Sequence, residues 1–386
     1  MSALHLFCFA AALLWASTCG YLGLLHLLRL GRRRAAAPAP GELPAIAVVV
    51  PLLNEKALVA GRLADLDRTA YPPHRMRVVF VDGGSTDGTR ELLAAAAAQR
   101  DNLEVWDCPG ARSKPDQINL ALDRLTEEIV VFSDADAELE PQAIHRLVER
   151  LTADPRLMLV GARVTPQTPL VEERLHWWLL NRLWWLQGEA LGGALLSGLC
   201  YACRRTAMPR LPADAIADDM HLALSFIARG LPTRLCWGAR GREVRTPQTP
   251  EEMLRYRRFR GNNFRRELRR FRPALARRGP VGWACLFYLW HFRVTPLAAA
   301  LFLAAAALSP WPLVGVVLLG LGGSLALTLA LMLRGFRQSQ EPAPGRRAQA
   351  AALLRLLGLT GFAVCTLSVP PVGHHAYHPA TRRKAS

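Results

Sequence analysis

A short apolar run that leads directly into an acidic, glycine-rich loop constrains the fold of this chain more than any other stretch. Residues 78–81 are continuously apolar, and Asp82 and the turn-forming residues 83–88 follow them. Such a boundary is typical of a buried strand that ends in a polar loop. In an open α/β sheet, ligands bind beyond the carboxyl ends of the parallel strands. Asp82 is therefore a candidate ligand-binding residue, although the stretch taken alone favours an ordinary turn with a solvated Asp.

Strand-type and helix-type segments alternate from residue 45 to about residue 161. The predicted strands are residues 45–50, 78–81, 103–106, 129–132 and 157–161, and the predicted helices between them are residues 56–69, 86–99 and 116–125. This alternation indicates an α/β domain with a mostly parallel sheet and helices on both faces.

The two ends of the chain are strongly apolar, and the mean hydropathy of the whole is positive, at +0.12. Residues 4–28 are almost uncharged and long enough to cross a bilayer, and three arginines follow them. Because the positive charge comes after the apolar run, an uncleaved anchor is favoured over a secretory signal. Residues 283–308, 313–333 and 350–372 are further hydrophobic stretches, so about four transmembrane helices are expected.

These stretches predict five parts of the chain. They are an N-terminal anchor (1–30), an Ala/Pro linker (31–44), a soluble domain (45–272), a C-terminal membrane region (281–373) and a tail (374–386). Arginine-rich flanks are typical of the cytoplasmic side, so the soluble domain is expected in the cytoplasm, at the inner membrane of a bacterium. The tail would then lie outside despite its basic residues, so the last stretch is either re-entrant or miscounted.

Four tryptophans mark a predicted helix near residues 172–190: Trp177, Trp178, Trp184 and Trp185. A tryptophan-rich amphipathic helix fits a position in the membrane interface. The alternative is an ordinary core helix, for which four tryptophans are many.

The charge balance points to a membrane rather than to nucleic acid. Lys plus Arg number 48 against 31 Asp plus Glu, and much of the excess lies beside the apolar segments, where it attracts anionic lipid. No basic stripe interleaved with aromatic residues occurs elsewhere, so a nucleic-acid partner is not expected. Cys200 and Cys203 form the single Cys-x-x-Cys, which is weak support for zinc and fits buried free thiols.

Polar or acidic side chains follow three of the predicted strands: Asn54 and Glu55, Asp82, and Asp134 and Asp136. In a parallel sheet these positions open onto one edge. Carboxylates that lie so close repel each other unless a cation is present. The hard ions Mg²⁺ or Mn²⁺, which bridge carboxylates to phosphates, are the expected cofactor.

Taken together, these motifs resemble those of the membrane-bound family 2 glycosyltransferases, inverting enzymes with the nucleotide-diphospho-sugar transferase fold called GT-A. The matching segments occur in the family's order and are residues 51–55, 82–89, 114–122, 134–136, 218–219 and 255–261. The membrane segments are similar only in a general way.

The resemblance implies a binding site for a nucleotide-sugar, expected to be a UDP-sugar. The loop that holds Pro51, Leu53 and Glu55, together with Asp82, would contact the base and ribose of the nucleotide.

The resemblance also implies where the chemistry takes place. Asp134 would lie on the ribose and metal side, Asp136 would bind the metal, Asp219 would be the general base, and Arg255 and Arg258 would lie over the diphosphate. One base without a nucleophile implies inversion at the sugar carbon. Taken alone, the acidic pair that contains Asp219 also fits a helix N-cap.

Departures from the family pattern favour transfer of one sugar to a membrane lipid or lipid-linked acceptor at the cytoplasmic face. Processive relatives carry Gln-x-x-Arg-Trp, whereas this chain has Arg255 and Phe259 at the Gln and Trp positions. A processive polysaccharide synthase and a non-catalytic membrane scaffold that keeps the fold are the alternatives. A dinucleotide oxidoreductase is not expected, because residues 51–56 contain no glycine.

Overall fold

The computed structural model describes residues 2–32, 42–111, 113–215, 217–340 and 343–355. Within these ranges eight strands form one sheet. They are β1 (Ile46–Leu52), β2 (Met76–Asp82), β3 (Leu103–Asp107), β4 (Ile129–Ser133), β5 (Ala137–Leu139), β6 (Leu159–Pro166), β7 (Cys200–Arg204) and β8 (Thr233–Glu243).

The strand order β3-β2-β1-β4-β7-β6-β8-β5 divides the sheet into two halves. In the first half, β3-β2-β1-β4, every pairing is parallel. In the second half β7 pairs antiparallel with both β4 and β6, β6 pairs parallel with β8, and β5 pairs antiparallel with β8. The predicted α/β sheet is confirmed, with the parallel pairings concentrated in the first half and a mixed second half.

Eleven α-helices lie wholly within the described residues, and residues 346–355 are helical as well. The eleven are α1 (Ala3–Trp15), α2 (Tyr21–Leu30), α3 (Lys56–Asp67), α4 (Thr89–Ala97), α5 (Lys114–Arg124), α6 (Ala143–Thr152), α7 (Val171–Leu191), α8 (Asp218–Ala228), α9 (Pro250–Ala276), α10 (Gly279–Ala306) and α11 (Trp311–Leu333). A π-helical turn, Ala16–Gly20, joins α1 to α2.

Helix α7 connects the sheet to the membrane segments. Trp177 and Trp184 are buried in the main core with strands of the sheet, as a core helix requires. Trp178 is also buried, and its indole Nε1 donates to the carbonyl of Met332 near the end of α11, 2.8 Å away. The interfacial position of this helix remains a prediction, and the structure adds that its tryptophans pack within the protein.

Among the described residues, two helices are long and apolar enough to cross a membrane: the continuous segment Ala3–Leu30 and the segment Trp311–Ser339. The bent pair Gly279–His291 and Val294–Ala306 makes a third if it counts as one span. Large apolar side chains such as Leu319 and Leu297 are 79% and 70% exposed, which suits contact with lipid. Most of the fourth predicted stretch, residues 350–372, and the tail lie outside the described residues.

Candidate active site

The loops that follow β1 and β2 are joined by hydrogen bonds. Asn54 takes a left-handed backbone conformation, with φ of 56°, which is uncommon for a residue with a side chain. Its N–H donates to the Ser85 hydroxyl, and its side-chain oxygen accepts from the Thr86 N–H, each over 2.8 Å. The Glu55 N–H donates to the Thr89 hydroxyl over 2.9 Å. The two loops therefore form one unit at the carboxyl edge of the sheet.

Asp82 is a buried side chain that holds these joined loops by hydrogen bonds. It is only 1% exposed, and its carboxylate accepts from both the N–H and the hydroxyl of Ser85. The following helix, α4, starts after Gly88, whose φ is 92°, and not at residue 86 as predicted, so Ser85 does not cap it. The Ser85 hydroxyl is committed to Asp82 and Asn54 instead, so Asp82 shapes the loop and presents little of its own surface.

Pro51 and Leu53, both predicted to contact the nucleotide, differ in exposure. Pro51 is buried inside β1, in register with Val81 of β2. Leu53, directly after the strand, is 49% exposed. A large apolar side chain left open at this edge is suited to contact a planar base.

Segment 114–122 contributes two side chains, Gln117 and Lys114, whose contacts motif matching alone does not explain. The side-chain amide of Gln117 donates to the carbonyls of Leu52 and Val81, over 2.6 and 2.8 Å, and so ties the ends of β1 and β2 together. The Lys114 ammonium lies 2.5 Å from Asp134 and 3.1 Å from Asp218. It therefore joins the end of β4 to the start of α8.

The cluster around Lys114 has perturbed acidity. Burial raises the pKa of Asp134, and the neighbouring Lys114 opposes that shift only in part. Burial alone would lower the pKa of Lys114, but the carboxylates of Asp134 and Asp218 raise it well above its usual value. Lys114 is thus a permanent cation between two carboxylates.

Arg245, just after β8, makes a second bridge that the sequence did not reveal. Its guanidinium contacts both carboxylate oxygens of Glu55, at 2.7 and 3.1 Å, and its Nε donates to Asp136 over 3.1 Å. Burial raises the pKa of Glu55, while the charge of Arg245 lowers it. Each of the two carboxylates expected to hold metal, Asp134 and Asp136, therefore has a cationic side chain beside it.

Asp219 lies at the first turn of α8 and is nearly buried, with 9% exposure. Its two oxygens accept from the N–H groups of Gly198 and Met220, over 2.9 and 2.7 Å. A Cβ added to Gly198 would lie 3.4 Å from both an oxygen of Asp134 and the ammonium of Lys114. The backbone of Gly198 therefore lies between the predicted base, Asp219, and the predicted metal ligand, Asp134.

Arg260, rather than Arg255 or Arg258, is the arginine of α9 that lies against the predicted base in the described structure. Its guanidinium is 3.8 Å from Asp219 and 3.8 Å from Glu243. Arg255 is exposed and Arg258 is half-buried, and neither pairs with a site carboxylate among the described residues. Because residues five apart on a helix point in different directions, the register of α9 decides which arginine enters the site.

Glu243, at the end of β8, is a further acidic residue of the site that the sequence pattern did not indicate, and its side chain is 16% exposed. Tyr256 donates to one of its oxygens over 3.0 Å, and its other oxygen has no hydrogen-bond partner in the described part of the chain. Burial raises its pKa to about 7, although Arg260 opposes the shift. A basic stretch such as β8, with arginine at three of its last ten positions, gives little indication that it ends at an active site.

The donor set fits a divalent ion that is shared with a ligand. The described residues contain no group of three or more acidic, His or Cys side chains close enough to hold a metal by themselves. Mg²⁺ bound with nucleotides needs only one or two carboxylates, because phosphate oxygens and water complete its shell. Asp134 and Asp136, two residues apart at the end of β4, meet that requirement.

Comparison with protein families gives an independent result. Residues 47–207 match the family model described as Glycosyl transferase family 2. This range runs from the second residue of β1 through β7, includes Glu55, Asp82, Lys114, Asp134 and Asp136, and ends before α8.

Curated relatives match the chain over part of their length. It is 28% identical over 122 residues to glycosyltransferase AglE of Haloferax volcanii, covering 32% of this chain and 40% of that protein. It is 27% identical over 196 residues to a beta-monoglucosyldiacylglycerol synthase of Nostoc sp., covering 47% and 41%. It is 21% identical over 209 residues to a poly-beta-1,6-N-acetyl-D-glucosamine synthase of Staphylococcus aureus, covering 51% and 50%. The chain thus spans about half or less of these relatives.

One solved structure is similar over nearly the whole chain. The mannosyltransferase PcManGT from Pyrobaculum calidifontis, in complex with GDP-Man and Mn²⁺, matches with a TM-score of 0.60 and 24% identity. The match covers 90% of this chain and 99% of that one. It shows that the two proteins share a fold.

Proposed function

Because residues 47–207 form a family 2 glycosyltransferase domain of GT-A fold, we propose that this protein transfers one sugar from a nucleotide-sugar to a membrane lipid or lipid-linked acceptor. The donor is expected to be a UDP-sugar and the transfer is expected to invert the sugar carbon. The observation that carries the proposal is the meeting of Glu55, Asp134, Asp136 and Asp219 with Lys114, Arg245 and Arg260 at one edge of the sheet.

The donor is placed by the joined loops after β1 and β2. Leu53 offers an apolar contact for the base, and the loop shaped by Asp82 would hold the ribose. Asp134 and Asp136 would hold Mn²⁺ or Mg²⁺ against the diphosphate, and that ion, when bound, supplies positive charge for the departing phosphates. Lys114, beside Asp134, and Arg260, beside Asp219, supply fixed positive charge of the chain's own.

Asp219 takes the proton in the proposed reaction. The acceptor hydroxyl attacks the sugar carbon from the face opposite the diphosphate, its proton passes to the Asp219 carboxylate, and the bond between that carbon and the phosphate oxygen breaks. The N–H groups of Gly198 and Met220 hold the carboxylate in a fixed orientation. Arg260 lies 3.8 Å from the same carboxylate, where its positive charge would stabilise the leaving diphosphate.

The surroundings of the base favour a membrane acceptor. Helix α8, which carries Asp219, packs on α9, and α9 leads within three residues into α10, which is the bent membrane candidate. The Arg260 guanidinium lies 4.8 Å from the ring centre of Trp177 in α7, which packs against α2, α10 and α11. A lipid acceptor held by those helices would reach the base along a short path. The relatives include both a lipid glucosyltransferase and a polymer synthase by name.

Membranes that contain the full chain, incubated with a panel of radiolabelled UDP- and GDP-sugars and Mn²⁺, test the proposal. We expect one UDP-sugar to label the lipid extract with a single sugar, and Asp219→Asn to abolish that label. A long labelled polymer would instead establish the processive synthase. Equal label from the variant and the parent would remove Asp219 as the base.

A further inference from the structure

A second cavity lies at the β5 edge of the sheet, apart from the carboxylates of the proposed donor site. It has a volume of about 620 Å³, and its walls come from β5, β6, β8, the start of α7 and the turn after α11. None of Glu55, Asp134, Asp136, Asp219 or Arg260 lines it. A volume of this size accommodates a small ligand or a headgroup.

The lining of this cavity is basic, with five arginines against three carboxylates. Three of the arginines lie 3.4 to 3.5 Å from a carboxylate, in the pairs Arg68–Asp65, Arg240–Glu140 and Arg242–Glu138. Arg163, which is 4% exposed, is a buried member of this set. The cavity therefore has an excess of positive charge and includes a buried guanidinium.

Arg163 is a buried cation without a carboxylate partner in the described part of the chain. It forms no ion pair there, and its Nε is buried without a hydrogen-bond partner. Its guanidinium lies 4.8 Å from the ring centre of Trp237 and 5.4 Å from that of Trp178, contacts that hold it in place without neutralising it. Burial lowers its pKa to about 10, so it remains charged at neutral pH. A buried guanidinium is costly unless an anion or acceptor accompanies it.

The cavity reaches the end of a membrane-span candidate. Gln338 and Gln340, in its wall, follow the last residue of α11 within seven positions. Trp178, one of the two rings beside Arg163, donates to the carbonyl of Met332 in α11 over 2.8 Å. The buried arginine and the end of the span are thus separated by one indole ring. Amide groups of the two glutamines are suited to donate hydrogen bonds to phosphate oxygens.

We infer that this cavity binds the phosphate of an anionic lipid, with Arg163 as its buried cationic contact and the turn after α11 as its entrance. Guanidinium groups are the preferred partners of phosphate, and juxtamembrane basic residues attract anionic headgroups. The inference depends on the membrane placement of α11 and not on sugar transfer. It stands or falls by lipid binding alone.

Retention of lipid by the purified full chain tests this inference. Native mass spectrometry after addition of equimolar phosphatidylglycerol and phosphatidylcholine should show preferential retention of phosphatidylglycerol. Arg163→Gln should weaken that retention about tenfold, the effect of losing one charge-assisted contact. Gln338→Glu, at an exposed position of the entrance, should weaken it through like-charge repulsion and keeps the test valid if Arg163→Gln fails to fold. Arg156→Gln, at an arginine whose side chain is 85% exposed, is the matched control and should leave retention unchanged.

A second arm separates lipid from free phosphate. Inorganic phosphate, added to protein in phosphatidylcholine nanodiscs, should not raise the Tm, whereas phosphatidylglycerol in the nanodisc should. Equal stabilisation by both would make the site one for free phosphate and would overturn the lipid assignment. No preference for phosphatidylglycerol in the parent, or the same preference in Arg163→Gln and Gln338→Glu, would overturn it as well.

Discussion

The two halves of the sheet build the active site in different ways. The first half, β3-β2-β1-β4, is parallel and contiguous in the chain, so each strand delivers its own terminal residues to one edge. The second half reaches the same edge through antiparallel pairings and long connections, and delivers Gly198, Glu243 and Arg245 there. The first half therefore holds the donor, while the second half completes the charge balance and positions the base.

The charges of the two halves complement each other. Glu55 and Asp136 come from the first half and are bridged by Arg245 from the second. Asp219 faces Arg260 of α9, which follows the second half. Lys114 is the exception, because it comes from α5 between β3 and β4. Neither half is electrostatically complete without the other.

The largest expected effect comes from removing the base. Asp219→Asn keeps the size and one acceptor oxygen but cannot take the proton, so we expect kcat to fall by about 10² to 10⁴. Asp214→Asn, on the exposed side where Asp214 pairs with Arg266 and Arg270, is the matched control and should retain full activity. Sugar transfer measured with a labelled donor in both variants tests this prediction. A loss below about tenfold would mean that the second half does not supply the base.

The choice of arginine on α9 sharpens the comparison. Arg260→Ala should lower kcat by about 10², the usual effect of removing one electrostatic contact to the developing charge. Arg258→Ala and Arg255→Ala should change it by less than about twofold, because their side chains lie away from the site carboxylates. Steady-state kinetics on the three variants test this. The reverse ranking would restore the assignment made from the motif alone.

The bridge from Arg245 of the second half to Glu55 and Asp136 of the first half can be tested by metal binding. Its removal leaves Glu55 and Asp136 without their shared cation, so Arg245→Ala should bind Mn²⁺ about tenfold more tightly in the absence of nucleotide. Electron paramagnetic resonance of free Mn²⁺ reports this without any turnover. Arg90→Ala, which removes an exposed partner of Asp107, should not alter the affinity. Unchanged or weaker binding in Arg245→Ala would show that Arg245 does not compete with metal.

The sequence predicted the first half well and the second half poorly for a physical reason. Parallel strands buried on both faces appear as continuous apolar runs such as residues 78–81. The residue after each run lies at the carboxyl end of a parallel strand, which is the edge where ligands bind. In contrast, arginines interrupt the apolar residues of β8, and β5 is three residues long, so neither has that signal. Arg245 acquires a role only through the register that sets β8 beside β5 and β6.

Side-chain register also explains why the motif that contains Arg255 and Arg258 does not determine which arginine of α9 lies beside Asp219. Four arginines lie between residues 255 and 260, and the sequence alone does not determine which of them faces the site. The contacts of Tyr256 with Glu243 and of Arg257 with Glu173 fix the rotation of α9. That rotation places Arg260 beside Asp219, and it depends on partners more than 80 residues away in the case of Glu173.

The smallest expected effect is on the pH dependence of stability. Burial raises the pKa of Glu243 from 4.5 to about 7. Between these pH values the folded protein keeps a proton that the unfolded chain has released, so the contribution is full below about pH 4.5 and is lost as the pH rises through 7. Glu243→Gln cannot titrate, so its Tm in metal-free buffer should fall less than that of the parent over this interval. Glu251→Gln, at an exposed position, should follow the parent, and a parallel decline in all three proteins would contradict the assignment.

Nucleotide affinity tests the division between the halves most directly. Equilibrium binding of UDP with Mn²⁺ should weaken at least about tenfold in Asp82→Asn, because the loop that Asp82 holds would loosen. In Asp219→Asn the affinity should stay within about twofold of the parent although transfer is lost, since that residue acts on the acceptor. Equal loss of UDP affinity in both variants, or normal affinity in Asp82→Asn, would contradict a donor site built by the first half of the sheet and a base positioned by the second.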